Sequence, residues 1–365
     1  MTTSTDVGSL PPRVLPSNLR EGARKTQTVE RFLPKKPGGD ALGVFEEEVV
    51  GAFIDKLRAG IEVPNYPQFR DMNEMILEML LGITRTGSGY IATQKVYTRP
   101  GSAIPEVSIL KQNISKIRET VNLDRVPMRI CITGPYTLSS SFSKASPELL
   151  RGLGGALADV ASRSIFNVRE GEVKLLSIDE PVLGFLNDPL LDRGSEGREA
   201  LIHALEEVCA TASSRKVETM LHLHNTSENL FWEVEHLNII EPHVDDPLYR
   251  QENTKKLLDE TDKRLKASIS VTRFDDMIRA KTAQEEDLGK IWTDIRRGET
   301  EPENFLEETR TMVKRLKAME KTFGVERIPY AGPECGLQGF PSYDCAMKYL
   351  RRTAEAVKKT QLLKK

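Results

Sequence analysis

The feature that most constrains the fold is the alternation of short apolar runs with longer helical patterns. Eight runs have the residue pattern of strands, and helical patterns separate nearly all of them. Eight strands joined by crossover helices favour a closed parallel barrel over an open sheet. We therefore predict an α/β protein with the (β/α)8 TIM-barrel architecture. The strand-like runs are residues 4–9, 60–65, 128–133, 174–179, 217–224, 237–242, 265–271 and 327–332.

The length of 365 residues would ordinarily suggest two or three domains. Barrels of this kind reach that length as one domain, so we predict a single catalytic barrel over residues 1–365. An excursion is expected around residues 66–105, where a helical pattern precedes an extended stretch, Tyr90–Tyr97, that can form a hairpin. The longer helices are predicted at residues 41–59, 107–120, 147–169, 195–213, 283–297, 303–321 and 342–358.

Composition excludes several classes of function. The formal net charge is −2, and basic and acidic residues are interleaved without a long basic block, which argues against nucleic-acid binding. No apolar run reaches the length that spans a bilayer, so no membrane partner is expected. The first residues lack the basic and apolar regions of a secretory signal, and the four cysteines show no disulfide or CxxC spacing. Both observations predict a cytoplasmic protein.

Chemically reactive residues gather where the predicted strands end, which is where a barrel keeps its active site. His222 and His224 close one apolar run, and side chains two apart on a strand point to the same face. The next run ends in Glu241 and His243, and the last predicted strand is followed by Cys335. Imidazole, carboxylate and thiolate at strand ends predict a zinc site of the catalytic kind.

A single histidine or cysteine is more often a packed or surface residue than a ligand. His203 and His236 lie in charged, helical surroundings and are interpreted as surface residues. Cys131 and Cys209 are interpreted as small core residues, and Cys345, on a predicted helix, as a buried one. The metal hypothesis therefore depends on the strand ends together and not on one motif.

Taken in chain order, these strand ends resemble the catalytic domain of cobalamin-independent methionine synthase and related zinc thiol methyltransferases. The resemblance covers essentially the whole chain, and it implies a barrel of the superfamily that includes uroporphyrinogen decarboxylase. The family's amino-terminal domain, which helps to hold folate, has no counterpart, so a single-domain, archaeal-type core form is expected. The matching segments are Val7–Pro11, Ile132–Pro135, Ile178–Pro181, His222–His224 and Gly332–Leu337.

The resemblance also implies roles for individual residues. It makes Cys335 the fourth zinc ligand, and for the third it favours His243, with Glu241 as the alternative. Asp179 would hold the ammonium group of the substrate through a charge-assisted hydrogen bond. Ser9 would bind the substrate carboxylate through its hydroxyl and backbone N–H. Gln68 would contribute one uncharged hydrogen bond.

Three departures from the family bear on the chemistry. His224 stands where the family has cysteine, Tyr66–Gln68 replaces Asp-Gly-Glu, and Thr272 replaces a histidine that is a candidate proton donor to folate. Zinc coordination deprotonates a thiol whose unperturbed pKa is about 8.5 and holds it as a nucleophile, and the open position of a catalytic site is where that thiol would bind. A histidine-rich site would acidify the thiol more strongly and leave a weaker nucleophile, which favours a reactive methyl donor.

The sequence therefore predicts a zinc-dependent methyltransferase that methylates homocysteine to give methionine. A methyl-corrinoid protein is the expected donor and partner instead of methylfolate, and no protein residue is assigned as a catalytic acid. One alternative is alkyl transfer to or from coenzyme M or another thiol. Another is a non-catalytic barrel that binds a corrinoid or a partner without zinc.

Overall fold

The computed structural model describes residues 1–27, 41–282 and 287–363. Within them the strands are β1 (Thr3–Ser4), β2 (Leu80–Thr86), β3 (Gly89–Thr98), β4 (Val126–Thr133), β5 (Asn167–Val168), β6 (Gly171–Glu180), β7 (Glu218–Leu223), β8 (Ile239–Glu241), β9 (Arg264–Ser270) and β10 (Tyr330–Pro333). The helices are α1 (Pro16–Thr26), α2 (Ala41–Arg58), α3 (Met72–Leu77), α4 (Pro105–Gln112), α5 (Ile114–Val121), α6 (Pro135–Ser139), α7 (Pro147–Ser164), α8 (Glu196–Ser213), α9 (Glu252–Thr261), α10 (Phe274–Lys281), α11 (Leu288–Arg297), α12 (Thr309–Phe323) and α13 (Tyr343–Leu362).

One curved sheet forms the centre of the molecule, with the order β1-β10-β9-β8-β7-β6-β4. Every neighbouring pair along this path is parallel, and only the short β5 pairs antiparallel, at the edge of β6. Helices follow most of these strands, as parallel connections require. The predicted α/β class with a parallel barrel-like sheet is confirmed.

The two edges of the sheet, β4 and β1, are joined by residues 61–68. Residues 60–65 were predicted as a strand, but residues 61–68 make only isolated bridges, Thr5 with Val63, Asn65 with Arg129, and Ser9 with Gln68. The prolines of this segment explain the difference, because Pro64 and Pro67 have no N–H to donate to a ladder. The seam between β1 and β4 is thus held by isolated backbone bridges and by side-chain hydrogen bonds instead of a continuous ladder.

The barrel interior is apolar in one layer and polar in the next layer toward the carboxyl ends of the strands. A small apolar cluster contains Val63, Leu175, Met220, Ile239 and Tyr330, all nearly inaccessible to solvent. Residues two positions further along a strand point to the same face. On four of these segments those residues are polar and buried, and they are Asn65, Ser177, His222 and Glu241. Because buried polar groups require partners, these side chains must interact with one another or with a bound group at the carboxyl end of the barrel.

The outer helices bury apolar faces. Helix α2 buries Phe45, Val49 and Phe53, and α13 buries Leu350 and Val357 among others. The Ser342 hydroxyl caps α13 by accepting a hydrogen bond from the Cys345 N–H at 3.1 Å. No helix in the described part of the chain is long and apolar enough to cross a membrane.

Several predicted helices differ in extent from the observed ones. The helix predicted at 107–120 is two helices that meet at Asn113, and the one predicted at 147–169 ends at Ser164, before β5. The sequence also predicted a helix after β7, with Asn225 or Ser227 as its cap. The structure has a 3-10 turn there, Leu230–Glu233, and the Asn225 side chain instead accepts a hydrogen bond from the Ser227 N–H in a tight turn. The helix expected at 303–321 begins at Thr309, and the start of that predicted at 283–297 lies outside the described residues.

The excursion predicted around residues 66–105 contains α3 and an antiparallel hairpin of β2 and β3. The stretch Tyr90–Tyr97 forms most of β3, as expected. Tyr90 pairs with Phe142 beside the barrel at a ring distance of 6.0 Å. The hairpin therefore packs against the barrel at its β4 side.

Candidate metal centre

Three strand ends bring four predicted ligands to one point. His222 closes the β7 ladder opposite Glu241 of β8, and His224 and His243 follow those strands. Cys335 follows β10. Ligand atoms of His222, His224, His243 and Cys335 all lie within 4.8 Å of one another. The spacing matches what one small cation needs from nitrogen and sulfur donors.

The three imidazole rings lie against each other. Their centroids are 5.2 Å apart for His222 and His224, 5.6 Å for His222 and His243, and 4.2 Å for His224 and His243. The Cys335 Sγ lies 3.4 Å from the His224 Nε2. Such packing places four electron-pair donors around a shared centre.

Several of these donors have no hydrogen-bond partner. Among the described residues, both ring nitrogens of His222 and the Nε2 of His243 are buried and unpaired. A buried polar atom without a partner is rare because its desolvation is not compensated. Two histidines of the same cluster share this property, and a bound cation would satisfy both.

The surroundings keep all three imidazoles neutral. Burial lowers the pKa of His222 well below its ordinary value, against the opposing effect of Glu241. Burial and then the neighbouring His224 lower the pKa of His243 to about 3, and burial lowers that of His224 as well. Neutral imidazoles offer lone pairs to a metal at physiological pH.

The Cys335 thiol is protonated in the protein alone. Burial raises its pKa to about 12, and Asp179, Glu334 and Glu241 add to this effect. A thiol in such surroundings is a poor nucleophile unless a cation lies beside it. The Cys335 thiol therefore becomes a strong ligand only with a metal present.

Glu241, the alternative third ligand, is held by two cations. Its carboxylate lies 2.5 Å from an Arg129 Nη2 and 2.8 Å from the Lys266 Nζ. All three side chains are inaccessible to solvent. Burial alone would raise the pKa of Glu241, but Arg129 and Lys266 lower it below its usual range. Its nearest approach to the histidines is 3.6 Å, between Oε2 and the His222 Nδ1.

Glu334 joins three of the strand-end loops. Its Oε1 accepts a hydrogen bond from the Thr272 N–H at 2.9 Å, and its Oε2 accepts one from the Val244 N–H at 3.0 Å. The same Oε2 lies 3.8 Å from the His243 Nδ1. Glu334 also immediately precedes Cys335, so it links the loops that follow β8, β9 and β10.

Asp179, the predicted ammonium ligand, lies beside the histidine cluster. It pairs in register with His222 on the neighbouring strand, and its Oδ1 accepts a hydrogen bond from the Ser177 hydroxyl at 2.7 Å. Burial raises the pKa of Asp179 to about 6, against the opposing effect of Arg129. The carboxylate is thus ionised at neutral pH and becomes protonated in mild acid.

Ser9 lies on another side of the centre. The loop carrying it meets the Cys335 loop so closely that a Cβ on Gly336 would be 1.8 Å from the Ser9 Oγ, and the Leu337 N–H donates to the Ser9 carbonyl at 2.9 Å. Gln68 pairs with Ser9 by a bridge, but its amide donates to the Tyr66 hydroxyl at 3.2 Å. Gln68 is therefore engaged within the barrel wall.

The remaining sequence interpretations concern residues away from the centre. Cys131, Cys209 and Cys345 are buried free thiols, as expected. His236 lies at the surface, where its Nδ1 contacts Glu206, and these two residues form a second close group with Glu235. Thr272 is buried, and its N–H donates a hydrogen bond to Glu334.

Sequence reasoning missed Arg129, Lys266 and Glu334. A signal was present for the first two, because each is a charged residue within an apolar strand run, and residues of this kind are almost never fully buried unless paired. Nothing local marks Glu334 as a link between three loops. Its role depends on strands far apart in the sequence.

The fold and the cluster together define a class, namely a parallel α/β barrel with a nitrogen- and sulfur-rich candidate metal centre at the carboxyl end of its strands. No family model matches the chain. The chain is similar to a methionine synthase of Saccharolobus solfataricus, with 26% identity over 213 residues, or 57% of this chain and 60% of the relative. The chain thus aligns with less than two thirds of that relative's length.

Two further comparisons agree with this one. A 5-methyltetrahydropteroyltriglutamate–homocysteine methyltransferase of Thermotoga maritima is 25% identical over 235 residues, which cover 60% of this chain and 29% of that protein. The solved structure of a B12-independent methionine synthase from Shewanella sp. W3-18-1, in complex with selenomethionine, aligns with a TM-score of 0.61. That alignment covers 100% of this chain and 99% of the other at 16% identity, and it supports the fold.

Proposed function

We propose that the chain is a zinc-dependent methyltransferase that transfers a methyl group to the thiol of homocysteine and so forms methionine. The observation that carries the proposal is the group of four donors within 4.8 Å, His222, His224, His243 and Cys335. The similarity to proteins named methionine synthase supports the same reaction. It is weaker support, because each alignment covers only part of the relative.

The donor set fits zinc. Buried, unpaired nitrogens on His222 and His243 are available as ligands, and nitrogen with thiolate sulfur is the ligand chemistry that zinc prefers. When bound, zinc lowers the pKa of a coordinated thiol and keeps it in the nucleophilic thiolate form. Glu241 is engaged by Arg129 and Lys266, which supports His243 as the third ligand.

Residues around the centre would position the amino acid part of the substrate. Asp179 can accept a hydrogen bond from the substrate ammonium group, while Ser177 and Arg129 fix its orientation from behind. The Ser9 hydroxyl lies next to the Cys335 loop and can donate to the carboxylate. A thiol that also carries ammonium and carboxylate groups matches this pair better than a sulfonate such as coenzyme M.

The number of protein donors has a consequence for catalysis. Open catalytic zinc sites use three protein ligands, and closed structural sites use four. If all four side chains held the metal, a substrate thiol would have to add to them or displace one of them. His224, His243 and Cys335 are only partly buried, so each of these three would yield with less rearrangement than the buried His222.

The methyl donor is the part of the proposal that depends on sequence alone. We expect a methyl-corrinoid donor because loss of a methyl group from folate requires a placed acid, and position 272 offers only a threonine. The comparisons give this expectation no support. The Thermotoga relative is named for a methyltetrahydropteroyltriglutamate donor and the Shewanella structure for independence from B12.

One experiment tests both levels of the proposal. Purified zinc-loaded protein is incubated with homocysteine and either methylcobalamin or methyltetrahydrofolate, and methionine is measured. Product with methylcobalamin supports the full proposal, and product with the folate alone refutes the donor while keeping the reaction. If neither donor gives product at full zinc occupancy, methyl transfer to homocysteine is wrong.

A further inference from the structure

Two of the clustered histidines have a buried carboxylate on the same side of the ring. The His222 Nδ1 lies 3.6 Å from Glu241 Oε2, and the His243 Nδ1 lies 3.8 Å from Glu334 Oε2. Neither distance is a hydrogen bond in this structure, but each places a carboxylate oxygen beside an Nδ1. The opposite nitrogen, Nε2, is buried and unpaired in both histidines.

Both carboxylates are fixed from behind by independent groups. Glu241 is held by Arg129 and Lys266, and Lys266 is itself anchored to the Pro333 carbonyl. Glu334 accepts backbone N–H groups from the loops after β8 and β9. Neither carboxylate can therefore move to become a ligand without losing two charged or backbone partners.

We infer that Glu241 and Glu334 are positioning residues that make Nε2 the metal-binding nitrogen of His222 and His243. Each would accept a hydrogen bond from the Nδ1–H, which selects the tautomer with its lone pair on Nε2 and fixes the ring orientation. A partner of this kind, a carboxylate behind a ligand histidine, orients the ligand and raises its basicity. The inference rests on the proposed metal centre and adds two residues that would not touch the metal.

The two positioning residues also couple the centre to the barrel. Arg129 bonds to Ser177, whose hydroxyl holds Asp179, so the Glu241 network reaches from His222 to the proposed ammonium ligand. Glu334 connects His243 to the Cys335 loop through its own backbone. One network thus orients a ligand together with the substrate site, and the other orients two ligands together.

The test compares zinc affinity, measured by competition with a chromophoric chelator, in E241Q and E334Q against matched controls. E180Q is the control for Glu334, because Glu180 is a buried strand-end carboxylate that accepts two backbone N–H groups, from Tyr136 and Thr137. D6N is the control for Glu241, because Asp6 is a buried carboxylate paired with the buried Lys56 at 2.7 Å. We expect each test variant to bind zinc about 10- to 100-fold more weakly, and each control to stay near wild type.

A second measurement separates positioning from a general loss of structure. In Co(II)-substituted protein, histidines bound through Nε2 keep an Nδ1–H whose NMR signal is shifted by the metal. A hydrogen bond to a buried carboxylate slows the exchange of that proton with solvent. We expect two slowly exchanging signals of this kind in wild type, one lost in E241Q and the other in E334Q. Both should persist in the controls.

The outcomes distinguish this inference from the proposed function. If wild-type protein binds no zinc, the metal centre itself is wrong. If it binds zinc and the test variants match their controls in affinity and in the Co(II) signals, the centre stands and the positioning role is overturned. Loss of affinity in the test and control variants alike would also overturn it, since the effect would then be general.

Discussion

Two groups in the described structure bring histidine and acidic or sulfur ligands within bonding range of one centre. The first is His222, His224, His243 and Cys335 inside the barrel mouth, and the second is Glu206, Glu235 and His236 on the outside. By distance alone they are equivalent. They differ in that His236 is already paired with Glu206 and partly exposed, whereas the inner group contains buried nitrogens without partners.

This difference indicates that buried nitrogens without partners, and not short distances alone, mark a candidate ligand set. Water and a neighbouring carboxylate satisfy the outer histidine, so a cation there would have to displace existing partners. In the inner group the loss of solvation is not compensated by protein groups, and a cation would supply the missing interaction. If this contrast governs metal binding, zinc should depend on the inner group and not on the outer one.

The largest effect is expected from removing an inner ligand. His222→Ala and Cys335→Ala should each abolish stoichiometric zinc, because each deletes one of the four clustered donors, whereas His236→Ala should keep it. Metal analysis of the purified proteins, with circular dichroism to confirm folding, measures this. Full zinc in both inner variants, or its loss in His236→Ala, would show that the inner group is not the zinc site.

Zinc should also stabilise the folded protein through the inner group. A ligand present at 1,000 times its dissociation constant adds about 4 kcal/mol to the free energy of unfolding, if it binds only the folded state. Chelation should therefore lower the melting temperature of wild type and of His236→Ala equally, and leave that of His222→Ala unchanged. Equal shifts in all three proteins would mean that the stabilising metal is bound elsewhere.

Zinc affinity should also distinguish His243 from Glu241 as the third ligand of the inner group. His243→Ala should weaken zinc binding by more than the 100-fold limit typical of an outer-shell partner, and Glu241→Gln by less than that. Chelator competition measures both constants. The reverse order would identify Glu241 as the ligand, which would require it to leave Arg129 and Lys266.

The smallest effect is expected at Asp179, which should act on substrate and not on metal. Since the pKa of Asp179 is raised to about 6, the carboxylate is ionised above that pH and accepts the substrate ammonium. As pH falls through 6 the group is protonated, and the KM for homocysteine should rise about tenfold per unit. Asp179→Asn should raise KM by about 10- to 100-fold, with unchanged zinc content. A KM that keeps its pH dependence in that variant would contradict this role.

The sequence predicted the parallel barrel and the convergence of the four donors because both depend on local patterns. Alternation of strand and helix determines the architecture, and His222 and His224 share a face because they are two apart. The convergence with His243 and Cys335 follows from parallel strands that end at the same edge. These inferences need only the direction of each strand.

What could not be predicted depends on contacts between distant strands. The engagement of Glu241 follows from Arg129 and Lys266, which lie on β4 and β9, and no local pattern indicates that the three meet. Residues 61–68 are less regular than expected because only the closed barrel determines which of their backbone groups find partners. The helix expected after His224 is absent because the side chain of Asn225 competes with helix formation.

Residues 61–68 are joined to their neighbours in a different way from the strands that carry the clustered donors. The clustered donors extend from β7, β8 and β10, which pair with their neighbours in strand ladders, whereas Ser9 borders a segment joined by isolated bridges and side-chain hydrogen bonds. Local opening is easiest where few hydrogen bonds must break together. Amides of the seam should therefore exchange with solvent before those of β7. Under the proposed function, the barrel would loosen first beside Ser9, which would bind the substrate carboxylate, while the cluster that would hold the thiol stays in register.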